Sequence, residues 1–87
     1  MAEKAFKEAI SQTLKKAYFN KEGDYISVTD GEGDAVHVLI ISPQLGGKRA
    51  KEKRDLIWGE LISGLKQEDW ARISLVAAKT PEEAMAE

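Results

Sequence analysis

The chain lacks cysteine and long apolar runs, and it has one histidine and two prolines among its 87 residues. Without cysteine it cannot form a disulfide, a thiolate zinc site or a cysteine-ligated iron–sulfur cluster, and it has no thiol nucleophile. The longest aliphatic run, Val38–Ile41, is too short to span a bilayer. The N-terminal segment is charged and amphipathic, and we do not expect it to act as a secretory signal. These absences predict a cytoplasmic protein without a membrane segment.

Length and composition set the scale of the domain. The 87 residues, 43% hydrophobic and 32% charged, suffice for one small core and are typical of a globular domain. We therefore expect a single domain over residues 1–87. The net charge of −2 conceals an asymmetry, because residues 20–34 are rich in carboxylates whereas residues 46–54 carry bases opposed only by Glu52. The opposite signs of these segments predict a bipolar surface.

Hydrophobic periodicity predicts the elements of the first half. Helical spacing of apolar residues predicts a helix from about Glu3 to Ala17. Alternation with period two predicts a strand over Asp24–Thr29, and the glycine-rich segment Asp30–Asp34 predicts a hairpin loop. The next strand, Ala35–Ser42, is apolar on both faces and should be central in the sheet.

A turn and a second helix follow this strand. The segment Ser42–Gly47 must leave the sheet, because Pro43 has no amide donor. Helical spacing returns from about Ala50 and predicts a helix that frays after Ser63. The predicted apolar stripe of this helix consists of Ile57, Trp58, Leu61, Ile62 and Leu65.

The last elements complete the predicted fold. Weaker alternation predicts a third strand over Trp70–Ala78, and the segment Thr80–Glu83, reading TPEE, predicts a capped C-terminal helix. A right-handed crossover through the second helix would place the third strand parallel to the second. The order α-β-β-α-β-α therefore predicts an α+β fold, a three-stranded mixed sheet with helices packed on one face.

Four short motifs follow one another along the chain. They are a serine at the end of the second strand, a Leu-x-Gly-Lys turn, a basic helix start and the late TPEE: Ser42, Leu45–Lys48, Lys53–Ile57 and Thr80–Glu83. In this order they resemble the BolA-like family over about residues 24–83. The resemblance implies a fold similar to the type II KH arrangement. It also implies a non-catalytic regulatory protein whose partner is a monothiol glutaredoxin or another iron–sulfur protein.

The chain departs from the BolA-like pattern at the positions where that family ligates an iron–sulfur cluster. Ala35 and Arg54 stand where the family commonly has histidines, and the hairpin loop offers neither cysteine nor histidine. The only imidazole, His37, lies two residues beyond Ala35 on the same strand face. One histidine cannot complete a metal site, so we predict no metal and no cofactor. His37 is the one candidate ligand, and the alternative is a histidine packed at the sheet face.

A cluster of glycines and bases marks the candidate site. Its members are Gly46, Gly47, Lys48, Arg49, Lys51, Lys53 and Arg54. Unpaired backbone N–H groups and the helix dipole attract anions at a helix start, so we predict a partner- or anion-binding surface here. The alternative is a solvated helix face that Glu52 and Asp55 partly neutralise.

Two functions could use this cluster. The first is a regulatory interaction linked to iron–sulfur or stress regulation, without cluster ligation by this chain. The alternative is a nucleic-acid-binding regulator, of DNA or RNA, that uses the same bases. Against the alternative, Gly46–Arg49 lacks the second glycine of a KH-type GXXG loop, and Tyr25 is the only strand aromatic for base stacking. An enzyme is not expected, because no serine lies in a nucleophile elbow.

Overall fold

The computed structural model describes residues 3–86. The helices and strands are α1 (Lys4–Ala17), β1 (Tyr25–Asp30), β2 (Val36–Ile41), α2 (Ala50–Gly64), α3 (Gln67–Trp70), β3 (Ile73–Lys79) and α4 (Pro81–Met85). A single 3-10 turn, Pro43–Leu45, lies between β2 and α2. None of the helices described is long and apolar enough to cross a membrane.

The strand β2 is central in the sheet, as its two apolar faces predicted. It pairs antiparallel with β1 and parallel with β3. The β1–β2 register runs without interruption from Tyr25 opposite Ile41 to Asp30 opposite Val36. The predicted α+β fold with a three-stranded mixed sheet is therefore confirmed.

One face of the sheet carries the hydrophobic core. The buried residues come from α1, α2, β2 and β3, with one more from the loop after α1 and one from the 3-10 turn: Ile10, Leu14, Phe19, Val36, Val38, Ile40, Leu45, Ile57, Leu61, Ile73 and Val76. In each long helix the two buried aliphatic residues are four positions apart and so lie on one face. Complete burial of each aliphatic side chain contributes about 1.5–3 kcal/mol, which is what holds the helices on this side of the sheet.

The other face of the sheet points away from α1 and α2, and we call it the open face. The register aligns its residues in three rows across the strands: Tyr25–Ile41–Lys79, Ser27–Leu39–Ala77 and Thr29–His37–Leu75. Tyr25 is 54% exposed and Leu75 is 52% exposed. The open face therefore presents exposed apolar side chains among polar ones.

The third strand differs from its prediction. Trp70 lies in the one-turn helix α3, and β3 begins at Ile73. A register shift beside Val36 and His37 interrupts the pairing with β3. As a result Ile73 and Val76 are both buried, and the alternation that placed Ile73 and Leu75 on one face is wrong.

The apolar stripe of α2 is narrower than predicted. Ile57 and Leu61 are fully buried, and Trp58 and Leu65 pack partly buried against the core. Ile62 is 49% exposed, so its assignment to the buried stripe is wrong. The helix contacts the sheet along one row of residues and also packs against α1, whereas Ile62 lies on its solvent-facing side.

Candidate binding site

A hydrogen-bonded network fixes the turn that follows β2. Ser42 is fully buried, donates to the Asp24 carboxylate and accepts a hydrogen bond from the Gln44 N–H at 3.1 Å. Gln44 Nε2 donates to Asp24 Oδ2 at 2.7 Å and to the Tyr18 carbonyl at 3.2 Å. The Lys21 N–H also donates to Asp24, at 3.1 Å. The Asp24 carboxylate thus joins the α1–β1 loop to the 3-10 turn.

Sequence reasoning did not identify this network. Ser42 followed by Pro43 is a local signal for a capped helical turn, and it could have predicted the cap on Gln44. The role of Asp24 has no such signal, because it lies 18 positions from Ser42 and the two meet only through the antiparallel pairing of β1 and β2.

Beyond the network, the chain presents a glycine turn to solvent. Leu45 is fully buried and anchors the turn, whereas Gly46, Gly47 and Lys48 are exposed. Gly47 has a φ of +78°, a left-handed conformation that favours glycine. The backbone path from β2 into α2 therefore depends on this residue.

The start of α2 is capped by a residue of its own first turn. The Arg49 N–H donates to Glu52 Oε1 at 2.8 Å. This carboxylate lies at the positive end of the helix dipole. It accepts the backbone N–H of Arg49, one of the donors that we had expected to bind an external anion. Binding of an anion near this point would therefore depend chiefly on the surrounding side chains.

Four cations project from this part of the chain. Lys48, Arg49, Lys51 and Arg54 are exposed, and none forms an ion pair with a carboxylate among residues 3–86. We call these four residues, with Gly46 and Gly47, the basic turn. The local potential is positive although the net charge of the chain is −2.

Lys53 is set apart from the basic turn. Its side chain is 6% exposed, and its Nζ lies 2.6 Å from Oε1 of Glu83 in α4. The hydrogen bond from Lys53, together with one from the backbone N–H of Thr80, lowers the pKa of Glu83 to about 2. The sequence grouped Lys53 with the exposed bases, but the structure uses its charge to hold α4 against α2.

His37 lies half buried on the open face. Its cross-strand neighbours are Thr29 on β1 and Leu75 on β3. Gly31 lies against the ring, since a Cβ at that position would be 2.9 Å from His37 Nε2. Within residues 3–86 no group of three or more His, Cys, Asp or Glu side chains could hold a metal ion. This environment is that of a histidine packed at a sheet face.

Comparison with known proteins identifies the fold. No family model and no curated protein matches the chain. Among solved structures, BolA1 from Arabidopsis thaliana has a TM-score of 0.61 at 17% sequence identity, with 90% of this chain and 94% of that chain covered. A bolA protein homologue from Coxiella burnetii has a TM-score of 0.59 at 18% identity, with 98% of this chain and 99% of that chain covered. The chain therefore has the BolA fold, as the order of its motifs predicted.

Proposed function

We propose that the chain is a non-catalytic, regulatory binding protein of the cytoplasm that contacts its partner through the basic turn. One observation carries the proposal: four exposed cations lie together at the start of α2 without an ion pair among the described residues. Cations in or just before the first turn of a helix oppose its dipole and destabilise the helix by about 0.3–1 kcal/mol each, which applies to Lys48, Arg49 and Lys51. Their placement therefore does not serve the stability of α2, and binding is the function that it supports best.

The scaffold beneath the basic turn supports this proposal. Ser42, Asp24 and Gln44 tie the turn to the α1–β1 loop, and Leu45 anchors it in the core. A surface held in one conformation loses less entropy when a partner binds. The cations are therefore presented from a turn whose backbone is already ordered.

The partner class follows from the resemblance to BolA-like proteins. We propose a monothiol glutaredoxin or another iron–sulfur protein, bound without a cluster that this chain ligates. Ala35 offers a methyl group and Arg54 a permanent cation where that family has imidazoles, and His37 lies against Gly31 at the sheet face. The half-exposed apolar side chains of Tyr25 and Leu75 on the open face also favour a protein partner.

Titration with a purified monothiol glutaredoxin tests the proposal. Calorimetry and visible spectra would be recorded with the apo and the cluster-loaded forms. We expect the apo form to bind, and the triple change Lys48→Glu, Arg49→Glu, Lys51→Glu to weaken binding by about tenfold or more. The matched control reverses three other exposed lysines, Lys16, Lys21 and Lys66, and should leave affinity unchanged.

Two outcomes would contradict this proposal in different ways. If neither form of glutaredoxin binds, the partner class is wrong. If a coloured complex forms and its absorption changes in the His37→Ala variant, the chain ligates a cluster and the proposed cluster-independent contact is wrong.

The same four cations favour nucleic acid as a second candidate. Neutralisation of four phosphates predicts that affinity for duplex DNA falls roughly a hundredfold between about 50 and 200 mM salt. A labelled duplex titrated at these two salt concentrations measures the effect. Affinity that the triple charge reversal leaves unchanged would exclude this candidate.

A further inference from the structure

The strand β1 forms one edge of the sheet, since the strand order is β1-β2-β3. The hydrogen bonds of the β1–β2 hairpin show which backbone N–H and C=O groups of β1 point away from the sheet. The Gly31 N–H donates to the Ala35 carbonyl at 2.8 Å, so these opposed residues are a hydrogen-bonded pair. Such pairs alternate along an antiparallel ladder. The residues of β1 that bond to β2 are therefore Tyr25, Ser27 and Thr29, and the N–H and C=O groups of Ile26 and Val28 point away from the sheet.

The bonds of the central strand agree with this assignment. The Val36 N–H donates to the Arg72 carbonyl at 3.0 Å, and the Ser42 N–H donates to the Lys79 carbonyl at 3.0 Å. The even-numbered residues of β2 therefore bond towards β3, which leaves its odd-numbered residues to bond with β1.

The edge of β1 has few of the features that usually prevent strand addition. Its sequence, YISVTD, contains neither lysine nor proline, its one charged residue is Asp30 at the end of the strand, and its register is free of bulges. The edge of β3, by contrast, carries a register shift. In the part of the chain that is described, no contact beyond the sheet pairs with the backbone groups of Ile26 or Val28. These four groups are available to a further strand.

A groove runs beside this edge, between α1 and β1. It is lined by Lys4, Lys7, Glu8, Ser11 and Val28 and has a volume of about 230 Å³. Pockets for small molecules are usually larger, about 300–1,000 Å³, so this groove suits protein side chains better than a ligand. A strand added to β1 would point alternate side chains towards the groove.

We propose that the edge of β1 pairs with β1 of a second copy of this chain, antiparallel and centred on Ser27, to form a continuous six-stranded sheet. In this register Ile26 lies opposite Val28 of the second copy, and by symmetry Val28 lies opposite Ile26 of the second copy. The two pairs make four backbone hydrogen bonds. Tyr25 lies opposite Thr29 of the second copy on the open face, and an aromatic side chain beside a β-branched one is a favourable cross-strand pair.

The charges near the ends of the strand are compatible with this register. Asp24 and Asp30 would come close to each other across the seam. Each already has a partner in its own chain, since Asp24 binds Gln44 at 2.7 Å and Asp30 binds Lys7 at 3.3 Å. Repulsion between the two carboxylates is reduced accordingly.

The exposed stripe of α1 brings charges of both signs to the proposed interface. Ser11 lines the groove beside Val28 and so lies near the two-fold axis of the pairing. Glu8 and Lys15 lie about one helical turn on either side of Ser11. The antiparallel two-fold brings Lys15 of one copy towards both Glu8 and Lys7 of the other, twice per dimer. Lys7 is already paired with Asp30 of its own chain at 3.3 Å, which reduces its repulsion of Lys15.

The test is sedimentation velocity over a range of protein concentrations. The paired strand and one helical stripe bury less than the roughly 800 Å² per partner of a standard interface, so we expect a dimer that forms between about 10 µM and 1 mM. Ser27→Lys and Ser27→Glu each place like charges opposite one another and should weaken self-association about tenfold or more. An equal mixture of the two variants should restore it, which a merely misfolded variant could not do. Ala77→Lys, on the same face of β3, is the matched control and should associate as the wild type does.

Amide hydrogen exchange gives a second, residue-specific readout. At high concentration the amides of Ile26 and Val28 should exchange about tenfold or more slowly, whereas those of Ser27 and Thr29 are already protected by β2. A chain that stays monomeric to about 1 mM, a mixture that fails to recover, or a control that weakens association as much as Ser27→Lys would overturn the proposal. The basic turn is not part of this interface, so its charge-reversal variant should dimerise normally whatever its partner proves to be.

Discussion

Lys53 Nζ donates to Glu83 Oε1 over 2.6 Å and so joins α2 to α4. The same carboxylate oxygen accepts the Thr80 N–H at 2.8 Å, and the Glu83 N–H donates back to Thr80 Oγ1 at 3.2 Å. The two partners differ in burial, since the Lys53 side chain is 6% exposed and the Glu83 side chain is 50% exposed. The pair therefore places a cation in the interior and its counter-charge at the surface.

Removal of the carboxylate charge should destabilise the fold more than removal of the cation when the side-chain volume at position 53 is kept. Glu83→Gln keeps an oxygen for the Thr80 cap but leaves the buried ammonium without a counter-charge. Lys53→Met keeps the volume of the side chain and removes the charge, so it should cost about 1 kcal/mol or less. Lys53→Ala also leaves a cavity and should cost about 2–4 kcal/mol. Urea denaturation measures all three, and a Glu83→Gln variant as stable as Lys53→Met would show that the ion pair is unimportant.

Acidification should remove the contribution of Glu83 within a defined range. The Lys53 hydrogen bond is the first cause of a folded-state pKa of about 2, against the ordinary glutamate pKa of 4.5. Because the folded pKa lies below the unfolded one, the contribution is complete above pH 4.5 and is lost as the pH falls towards 2. The difference in urea midpoint between wild type and Glu83→Gln should therefore be constant near neutral pH and shrink over that range.

Comparison of wild type with Glu83→Gln separates the pH dependence due to Glu83 from that due to Glu3, which also has a lowered pKa. A backbone hydrogen bond at Glu3 and the Arg72 side chain lower the pKa of Glu3, which titrates in both proteins alike. A stability difference that persists undiminished at about pH 2 would contradict the assignment, because Glu83 would then be largely protonated in the unfolded chain.

Local patterns predicted the parts of the fold whose contacts are local. The TPEE segment forms the expected capping box because Thr80 and Glu83 are three positions apart. The apolar pattern of Ala35–Ser42 correctly placed β2 at the centre of the sheet. The burial of Lys53 was missed because its partner is 30 positions away. Its spacing of four from Ile57 was the one available signal, and the charge concealed it.

The pairing of the strands determined two features that the sequence pattern did not predict, the faces of β3 and the support of the basic turn. An alternating pattern assumes a regular strand, but the register shift of β3 beside β2 turns Ile73 and Val76 to the same side. Nothing in the order of residues along β3 specifies where that shift lies. The basic turn was predicted as a cluster of charges, whereas its support by Asp24 depends on a contact between β1 and the turn after β2.

Loss of the Ser42 hydroxyl should loosen this support. Ser42→Ala removes the donor to Asp24 and the acceptor for the Gln44 N–H at a fully buried position. We expect a loss of about 1–3 kcal/mol in the free energy of unfolding, because buried polar groups lose their partners. Ser63→Ala, at an exposed helical position, is the control and should be neutral or slightly stabilising. Equal stability of the two variants would show that the network contributes little.

The two glycines of α2 should respond to alanine in opposite directions. A Cβ at Gly59 meets nothing within 4 Å, so Gly59→Ala should stabilise the helix by about 1 kcal/mol. A Cβ at Gly64 would lie 2.4 Å from Thr13 Cγ2. Thr13 cannot easily turn away, because its Oγ1 donates to the Ala9 carbonyl at 2.8 Å. Gly64→Ala should therefore destabilise the protein by about 1–3 kcal/mol, which thermal or urea denaturation would measure.

A second substitution separates the clash from any other effect at Gly64. Thr13→Ser keeps the hydroxyl and its hydrogen bond but removes the methyl group that the new Cβ would meet. In a double-mutant cycle, Gly64→Ala combined with Thr13→Ser should recover most of the stability lost in Gly64→Ala alone. Additive effects would instead mean that the two residues do not contact each other, and α1 would not cross α2 at this point.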